Sequence, residues 1–255
     1  MRLDKCTFAS SIKYSIKMKE FGTEKYIANL SIDCVIFGYE NKELKVLIAK
    51  KKIGEGIWNL PGGYIMKTES IENAANRILK ERTNLENIYL EQFRVFGNEN
   101  RIIKSKYREL LLPYITQKYN EADAEWITDR FICIGFYALV EISKVNPQVG
   151  ELDECVEWIN IKDIPEMMHD HNEILSYALE ALQQNLDRKL IGFNLLAETF
   201  TMKEVQELYE AVYDRPFAMN NFQKKILDLD VLERLEKKFT GAQNKAPYLY
   251  RFKKA

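Results

Sequence analysis

Little in this chain points to disulfides, metal clusters or membranes. It has four cysteines, Cys6, Cys34, Cys133 and Cys155, and no Cys-x-x-Cys pair. That spacing signals neither a zinc site nor a disulfide framework. There are two histidines, His169 and His171, flanking Asp170. A metal is the weaker reading of that triplet, because Asp170 or Asn172 is well placed to cap the following helix. No run approaches the roughly 18 apolar residues of a membrane span. The opening residues are too charged for the apolar region of a signal peptide. Low-complexity tracts and internal repeats are missing too, which argues against disorder and solenoids. A cytoplasmic protein without membrane attachment is the expectation.

What is present is core material. The 255 residues are 46% hydrophobic and include 14 Tyr and 13 Phe. That suffices for one large or two modest cores. The net charge of -1 hides an asymmetry. From Arg215 to Ala255 there are ten basic and four acidic residues, or +6, which leaves -7 for residues 1–214. A basic end on an acidic body points to a polyanion-binding module joined to something else, although a solvated surface gives the same count.

Residues 1–25 lack clear periodicity and read as an arm or short helix. LSIDCVIFGYENKELKVLIAKKK reads as a hairpin turning at Glu40-Asn41-Lys42, with Ile32, Cys34 and Ile36 on one side. GIWNLPGGYI reads as a short strand ending in a Pro-Gly-Gly turn. Ile71, Ala74, Ala75, Ile78 and Leu79 form one stripe of a helix. NIYLEQFRVFG and RFICIGFYALVEI are strands, the second buried on both faces. The stretch 98–130 between them is an insertion whose helical pattern breaks at Pro113. CVEWINIKDIPE is a strand and turn, and EILSYALEALQQNL an amphipathic helix. After a linker, Thr201 and Glu204 form a capping box with Phe200 and Val205 as its staple. A second short helix, MNNFQKKILDL, and two strands around Gly241 complete helix, turn, helix and basic hairpin. In MNNFQKKILDL, Phe222, Ile226 and Leu229 share the core face. Asn220 and Lys224 point away from it, with Asn221 and Gln223 on its flanks.

Gly63, Glu69, Arg77, Leu79, Glu81 and Leu85, preceded by WNLPGG, resemble the Nudix box G-x5-E-x7-R-E-U-x-E-E-x-G-U in spacing and type, where U is a bulky aliphatic. Three positions depart. Ile78 and Arg82 stand where two helix glutamates belong, and Asn84 replaces a glycine. Nudix hydrolysis needs a divalent metal held by several carboxylates on one helix face. Counted from Arg77, only Glu81 remains, with a cation beside it. The resemblance therefore implies the Nudix fold, an α/β/α sandwich with a mixed sheet, without its catalysis: not an enzyme, no cofactor and no metal. Trp58 and Tyr64 border the turn where such proteins hold ligand, so they either line an effector pocket or fill the core. Arg77 pairs with a carboxylate such as Glu69 or Glu81, or holds a ligand phosphate. With Glu81, these are the candidate effector-binding residues.

The last third resembles the winged-helix half of the Nudix-related transcriptional regulator family, which joins a catalytically silent Nudix-like domain to a DNA-binding winged helix. The resemblance covers about residues 26–97 and 131–252. It divides the chain into an arm (1–25), a Nudix-like effector and dimerisation domain (26–187, with the insertion 98–130) and a small winged helix-turn-helix domain (188–255). Asn and Gln pair bidentately with adenine in the major groove, and Lys suits guanine or phosphate. The family pattern, approximately R-N-F-R-R-K, corresponds to Asn220, Asn221, Phe222, Gln223, Lys224 and Lys225; its arginines are lost here, which leaves the operator sequence open. Lys237, Lys238, Gln243, Asn244 and Lys245 belong to the wing. The implied partners are a double-stranded operator, a second copy of the chain and a small effector. Members respond to ADP-ribose-type nucleotides or to sugars such as arabinose. With the phosphate-and-metal machinery degraded, a sugar is the expectation, and with it regulation of carbohydrate metabolism. The rival readings are a divergent Nudix hydrolase using Glu81 with Glu99 or Glu121, and a constitutive DNA-binding protein.

Overall fold

The computed structural model describes residues 21–53, 56–101, 105–188, 195–238 and 246–253. The chain runs through β1 (Tyr26–Glu40), β2 (Glu43–Lys51), β3 (Trp58–Asn59) and β4 (Gly62–Met66) into α1 (Ile71–Thr83). Then come β5 (Tyr89–Phe96), α2 (Ser105–Lys118), α3 (Glu121–Ile127), β6 (Ile132–Val140), β7 (Asp153–Asn160) and α4 (His171–Arg188). A smaller unit follows: β8 (Phe200–Thr201), α5 (Met202–Tyr213), α6 (Met219–Asp228), β9 (Leu232–Lys237) and β10 (Tyr248–Phe252).

The large sheet has seven strands in the order β3-β2-β1-β6-β5, with β4 paired to β1 and β7 to β2. The β1–β6 pair is parallel and its neighbours are antiparallel, so the sheet is mixed. Strand periodicity sorts its two faces. Ile32, Cys34 and Ile36 of β1 meet Ile134, Phe136 and Ala138 of β6 under α1. Val35 and Phe37 meet Tyr137 and Leu139 under α4. Both faces are therefore covered, and β6 is buried almost throughout, as its unbroken apolar run demands. The β1–β2 hairpin turns at Asn41 and Lys42, whose φ of 53° and 66° are the left-handed pair of a type I′ turn.

Two local expectations are not met. Gly62 and Gly63 do not form a turn; they open β4 and pair with β1 opposite Asp33 and Ile32. Pro113 does not break its helix. Residues 105–118 run through it as α2. Pro113 is exposed, and so is Glu109, whose carbonyl its ring leaves without an amide. The insertion thus supplies two helices, packed on Ile53, Ile57 and Met168 through Tyr107, Leu111, Ile115 and Tyr119.

In the smaller unit, Thr201 caps α5 and the reciprocal Glu204 bond completes the capping box. Phe200 and Val205 are both buried, as a staple requires. β8, which has no pattern of its own at two residues, joins β10 and β9 in a three-stranded sheet. The unit seats α5 on α4 and β2. Gln183 donates to the Val212 carbonyl at 2.9 Å, Tyr213 donates to the Gln183 carbonyl at 2.8 Å, and Lys42 pairs with Glu207 at 2.9 Å. Lys162 pairs with Asp214 at the C-terminal end of α5.

Candidate effector and DNA-binding sites

The first site lies where the β4 backbone meets α1. Ser70 caps α1 by accepting from the Asn73 amide. The amphipathic stripe then directs Ala74, Ala75, Ile78 and Leu79 into the core. Ile78 is 1% exposed. Its side chain lies directly against β4: a Cβ added at Gly63 would come within 2.9 Å of the Ile78 Cγ1. At the C-terminus of α1, Asn84 takes the left-handed conformation (φ 59°, ψ 24°) and its amide bonds back to Lys80. Asparagine tolerates that region without glycine's freedom, so the helix stops where a glycine would stop it.

Arg77 is held on three sides. Its Nε and Nη2 reach the two carboxylate oxygens of Glu69 at 3.0 and 2.6 Å. Nη2 also donates to the Tyr64 carbonyl at 2.8 Å, and Nη1 to Glu81 at 3.2 Å. Its hydrogen bond to Glu69 holds the carboxyl of that residue below its usual range, against partial burial. Arg77 therefore ties the β4 loop to α1. Arg82, one turn on, donates to the Gly62 carbonyl at 3.2 Å and to Asp153 at 3.3 Å. Asp153 is also held by Lys51 at 2.7 Å. Neither Asp153 nor Lys51 carries a sequence signal for this role.

Tyr64 and Trp58 go different ways. The Tyr64 ring sits in an aromatic cluster with Trp126 (4.7 Å), Phe131 (5.2 Å), Tyr26 (5.6 Å) and Phe21 (5.7 Å). Burial raises its phenol far above the ordinary range. The insertion thus covers Tyr64. Trp58 is half-buried and its backbone pairs with Met167 and Met168.

A polar cluster absent from the sequence reading lies beside Gly62. Asp33, buried in β1, accepts from the Cys133 thiol at 2.8 Å and from Arg101 at 3.3 Å. Arg101 also donates to Asp170 at 2.7 Å and to the Phe131 carbonyl at 2.9 Å. The Asp170 side chain thus serves Arg101 rather than capping α4, and its other oxygen is buried without a hydrogen-bond partner. Asn172 caps no amide of α4 either; it accepts from the Met167 amide. The one legible signal was a charge, Asp33, inside an apolar strand. His171 Nδ1 accepts from the Leu60 amide at 3.0 Å, which requires an unprotonated Nδ1. No group of three His, Cys, Asp or Glu able to hold a metal occurs among the described residues.

Burial pushes His169 down to about 4 and also lowers His171, while Asp33 and Asp170 pull the other way. Both histidines are therefore neutral when folded and charge more readily when unfolded. Their contribution is complete above about pH 6.5 and is lost as pH falls below it, for His169 down to about 4. Urea midpoints measured from pH 7 to 4 should fall, by at most about 1.4 kcal/mol per pH unit for each histidine. A midpoint flat across that window would show that these imidazoles are not held neutral.

The second site is α6. Phe222 and Ile226 are buried, and Phe222 packs edge-on to Tyr209 at 5.0 Å. Leu229 is not core: it lies just beyond the helix end, in its capping position, and is 37% exposed. Asn220, Asn221, Lys224 and Lys225 are exposed and Gln223 half-buried. The Lys225 ammonium lies 5.9 Å from the Tyr209 ring. On the wing, Lys237 is exposed with its ammonium 5.3 Å from the Tyr248 ring, and Lys238 pairs with the capping-box Glu204 at 3.3 Å. Gln243, Asn244 and Lys245 lie outside the described residues.

A mixed-sheet domain with this α1 loop, carrying a helix-helix-wing unit, defines a class: an α/β/α sandwich joined to a winged helix-turn-helix. Comparison with known proteins agrees. The NUDIX domain model matches residues 29–179, and the NrtR DNA-binding winged helix domain model matches residues 192–252. The chain belongs to the NUDIX domain family, and its C-terminal part is an NrtR-type DNA-binding winged helix. It is 21% identical over 229 residues to the "ADPR responsive transcriptional repressor NtrR" of Acinetobacter baylyi, covering 88% of this chain and 81% of that one. Among solved structures, Shewanella oneidensis NrtR complexed with a 27mer DNA is similar, with TM-score 0.65 and 25% identity, covering 88% of this chain and 93% of that one. A MutT/nudix family protein of Enterococcus faecalis shares the fold, with TM-score 0.65 and 19% identity over 89% and 87% of the two chains.

Proposed function

We propose that this protein is a transcriptional repressor whose Nudix domain senses ADP-ribose or a closely similar nucleotide. The observation that carries the reading is the pairing, in one chain, of a Nudix fold with a winged helix matched to the NrtR type. The relative that aligns along most of both chains is described as ADPR responsive. A sugar effector, the expectation from the sequence, has no such support, and with it goes regulation of carbohydrate metabolism.

The divalent metal that the family's box implies does not fit the residues present. Glu69 and Glu81 are both engaged by Arg77, position 78 is apolar and buried, and position 82 is a cation. Mg²⁺ needs a set of unengaged hard oxygens in near-octahedral array. We therefore read the domain as a sensor rather than a hydrolase. Residues 26–187 form the effector and dimerisation domain in this reading, with 98–130 as an insertion, and 188–255 the DNA reader. Two copies would present two α6 helices to successive major grooves of a pseudo-palindromic site.

The test is DNA binding to the protein's own upstream region at two salt concentrations, with ADP-ribose and a panel of pentoses. Release by ADP-ribose alone supports the reading. Release by a pentose alone, or metal-dependent hydrolysis of ADP-ribose, sinks it. Lys237→Ala should weaken binding to specific and random DNA alike and flatten the log–log salt slope by about one unit. An unchanged slope would take Lys237 off the phosphate backbone.

A further inference from the structure

The Arg82 guanidinium fills a built position. It bridges the Gly62 carbonyl of β4 and Asp153 of β7, so it links the box helix to two strands. The backbone is shaped around it: a Cβ added at Gly150 would lie 2.2 Å from Arg82 Nη1 and 2.3 Å from the Asp153 carboxylate. The pairing of β2 with β7 slips between Lys50 and Lys51, beside Asp153, and bulges of this kind re-aim side chains. Asp153 is 2% exposed and shared by two cations, Lys51 and Arg82, so the triad carries one surplus positive charge.

The contacts of Arg82 are long and one-pronged, and its side chain stays 24% exposed. A guanidinium has five N–H donors, and two are used in the contacts described. We propose that Arg82 is a resident cation of the box: it occupies the position the family pattern gives to a metal-binding carboxylate and engages the effector's diphosphate directly, without a divalent metal. The ligand half of this inference rests on the ADP-ribose reading above; the cation half does not. A diphosphate offers paired anionic oxygens, and guanidinium matches them in charge and in fork geometry.

The experiment has two arms on the full chain. In the first, ADP-ribose is titrated calorimetrically into wild type, Arg82→Gln and Arg82→Lys, with Mg²⁺ and with EDTA. Wild-type affinity should be the same in both buffers. Arg82→Gln should weaken it by about tenfold or more, the loss of a charge-assisted hydrogen bond, with partial rescue by Arg82→Lys. Wild-type affinity that collapses in EDTA, or Arg82→Gln binding like wild type, overturns the proposal. In the second arm, thermal unfolding is followed with and without Mn²⁺. Arg82→Glu replaces the cation by a carboxylate next to Asp153 and the Gly62 carbonyl, so it alone should gain Mn²⁺-dependent stabilisation. Stabilisation of wild type by Mn²⁺ would overturn the resident cation. If wild type binds no ADP-ribose in either buffer, the effector reading fails, and the Mn²⁺ arm still decides the cation.

Discussion

Replacing Asn220 and Lys224 together with alanine is expected to abolish operator-specific DNA binding while leaving the fold intact. Both side chains are exposed on α6, and neither touches its core face. That face is anchored elsewhere, by Phe222 packed against Tyr209 and Phe217 and by the buried Ile226. The helix also has no side-chain cap at its N-terminus, so removing Asn220 takes nothing from its hydrogen bonding there. An amide paired bidentately with a base contributes about 1–3 kcal/mol of discrimination, and a lysine on guanine or phosphate adds to it. The pair together corresponds to a loss of about a hundredfold or more in specific affinity, while random-sequence binding falls only by the lysine's share. Gel-shift titrations on operator and scrambled duplexes, with thermal unfolding as the control, measure both. Unchanged operator affinity would mean that α6 is not the reading helix.

The fold was legible where one physical rule decided the local outcome. Alternation in LSIDCVIF sorts β1 onto two helices because the sheet is covered on both faces. Thr201 with Glu204 marks the start of α5 because orphan amides at a helix end need acceptors. The misreadings fall where tertiary context outweighs the local rule. Pro113 stays in a helix because its side of α2 faces water. Leu229 follows the 3.6-residue stripe but lies one position past the helix, where the stripe no longer points inward. The polar cluster was invisible for a different reason. Asp33, Arg101 and Asp170 are separated by 68 and 69 residues, and they meet through the pairing of β5 with β6 and of β6 with β1, together with the entry to α4. The partner of Arg82 likewise depends on β7 folding back onto β2, which no spacing along the chain encodes.

Ile78→Glu, the substitution that would restore the family's glutamate at that position, is expected to be the most destabilising of these changes and to leave the protein without hydrolysis. The side chain sits in an apolar cluster with Ile32, Cys34, Ala75 and Ile134, and the Gly63 backbone lies against it. A carboxylate there must stay protonated or carry its charge into the core. Burial of this kind raises a glutamate by as much as 3–5 pH units, and each unit is about 1.4 kcal/mol. The expected loss at pH 7.5 is about 4–5 kcal/mol, against about 1 kcal/mol for Ile78→Val. The sign of the pH dependence separates charge from shape. A buried glutamate has its folded pKa raised above the unfolded value near 4.3, so the variant is least impaired near pH 4–5. The deficit should then grow by about 1.4 kcal/mol per unit as pH rises, until the folded pKa is passed. Urea midpoints of the Glu and Val variants across pH 5 to 8, each read against wild type so that the histidine contribution cancels, give the comparison. A deficit below about 1 kcal/mol that does not change with pH would mean the pocket opens to water. Position 78 would then be within reach of the metal-binding role that its burial now denies it.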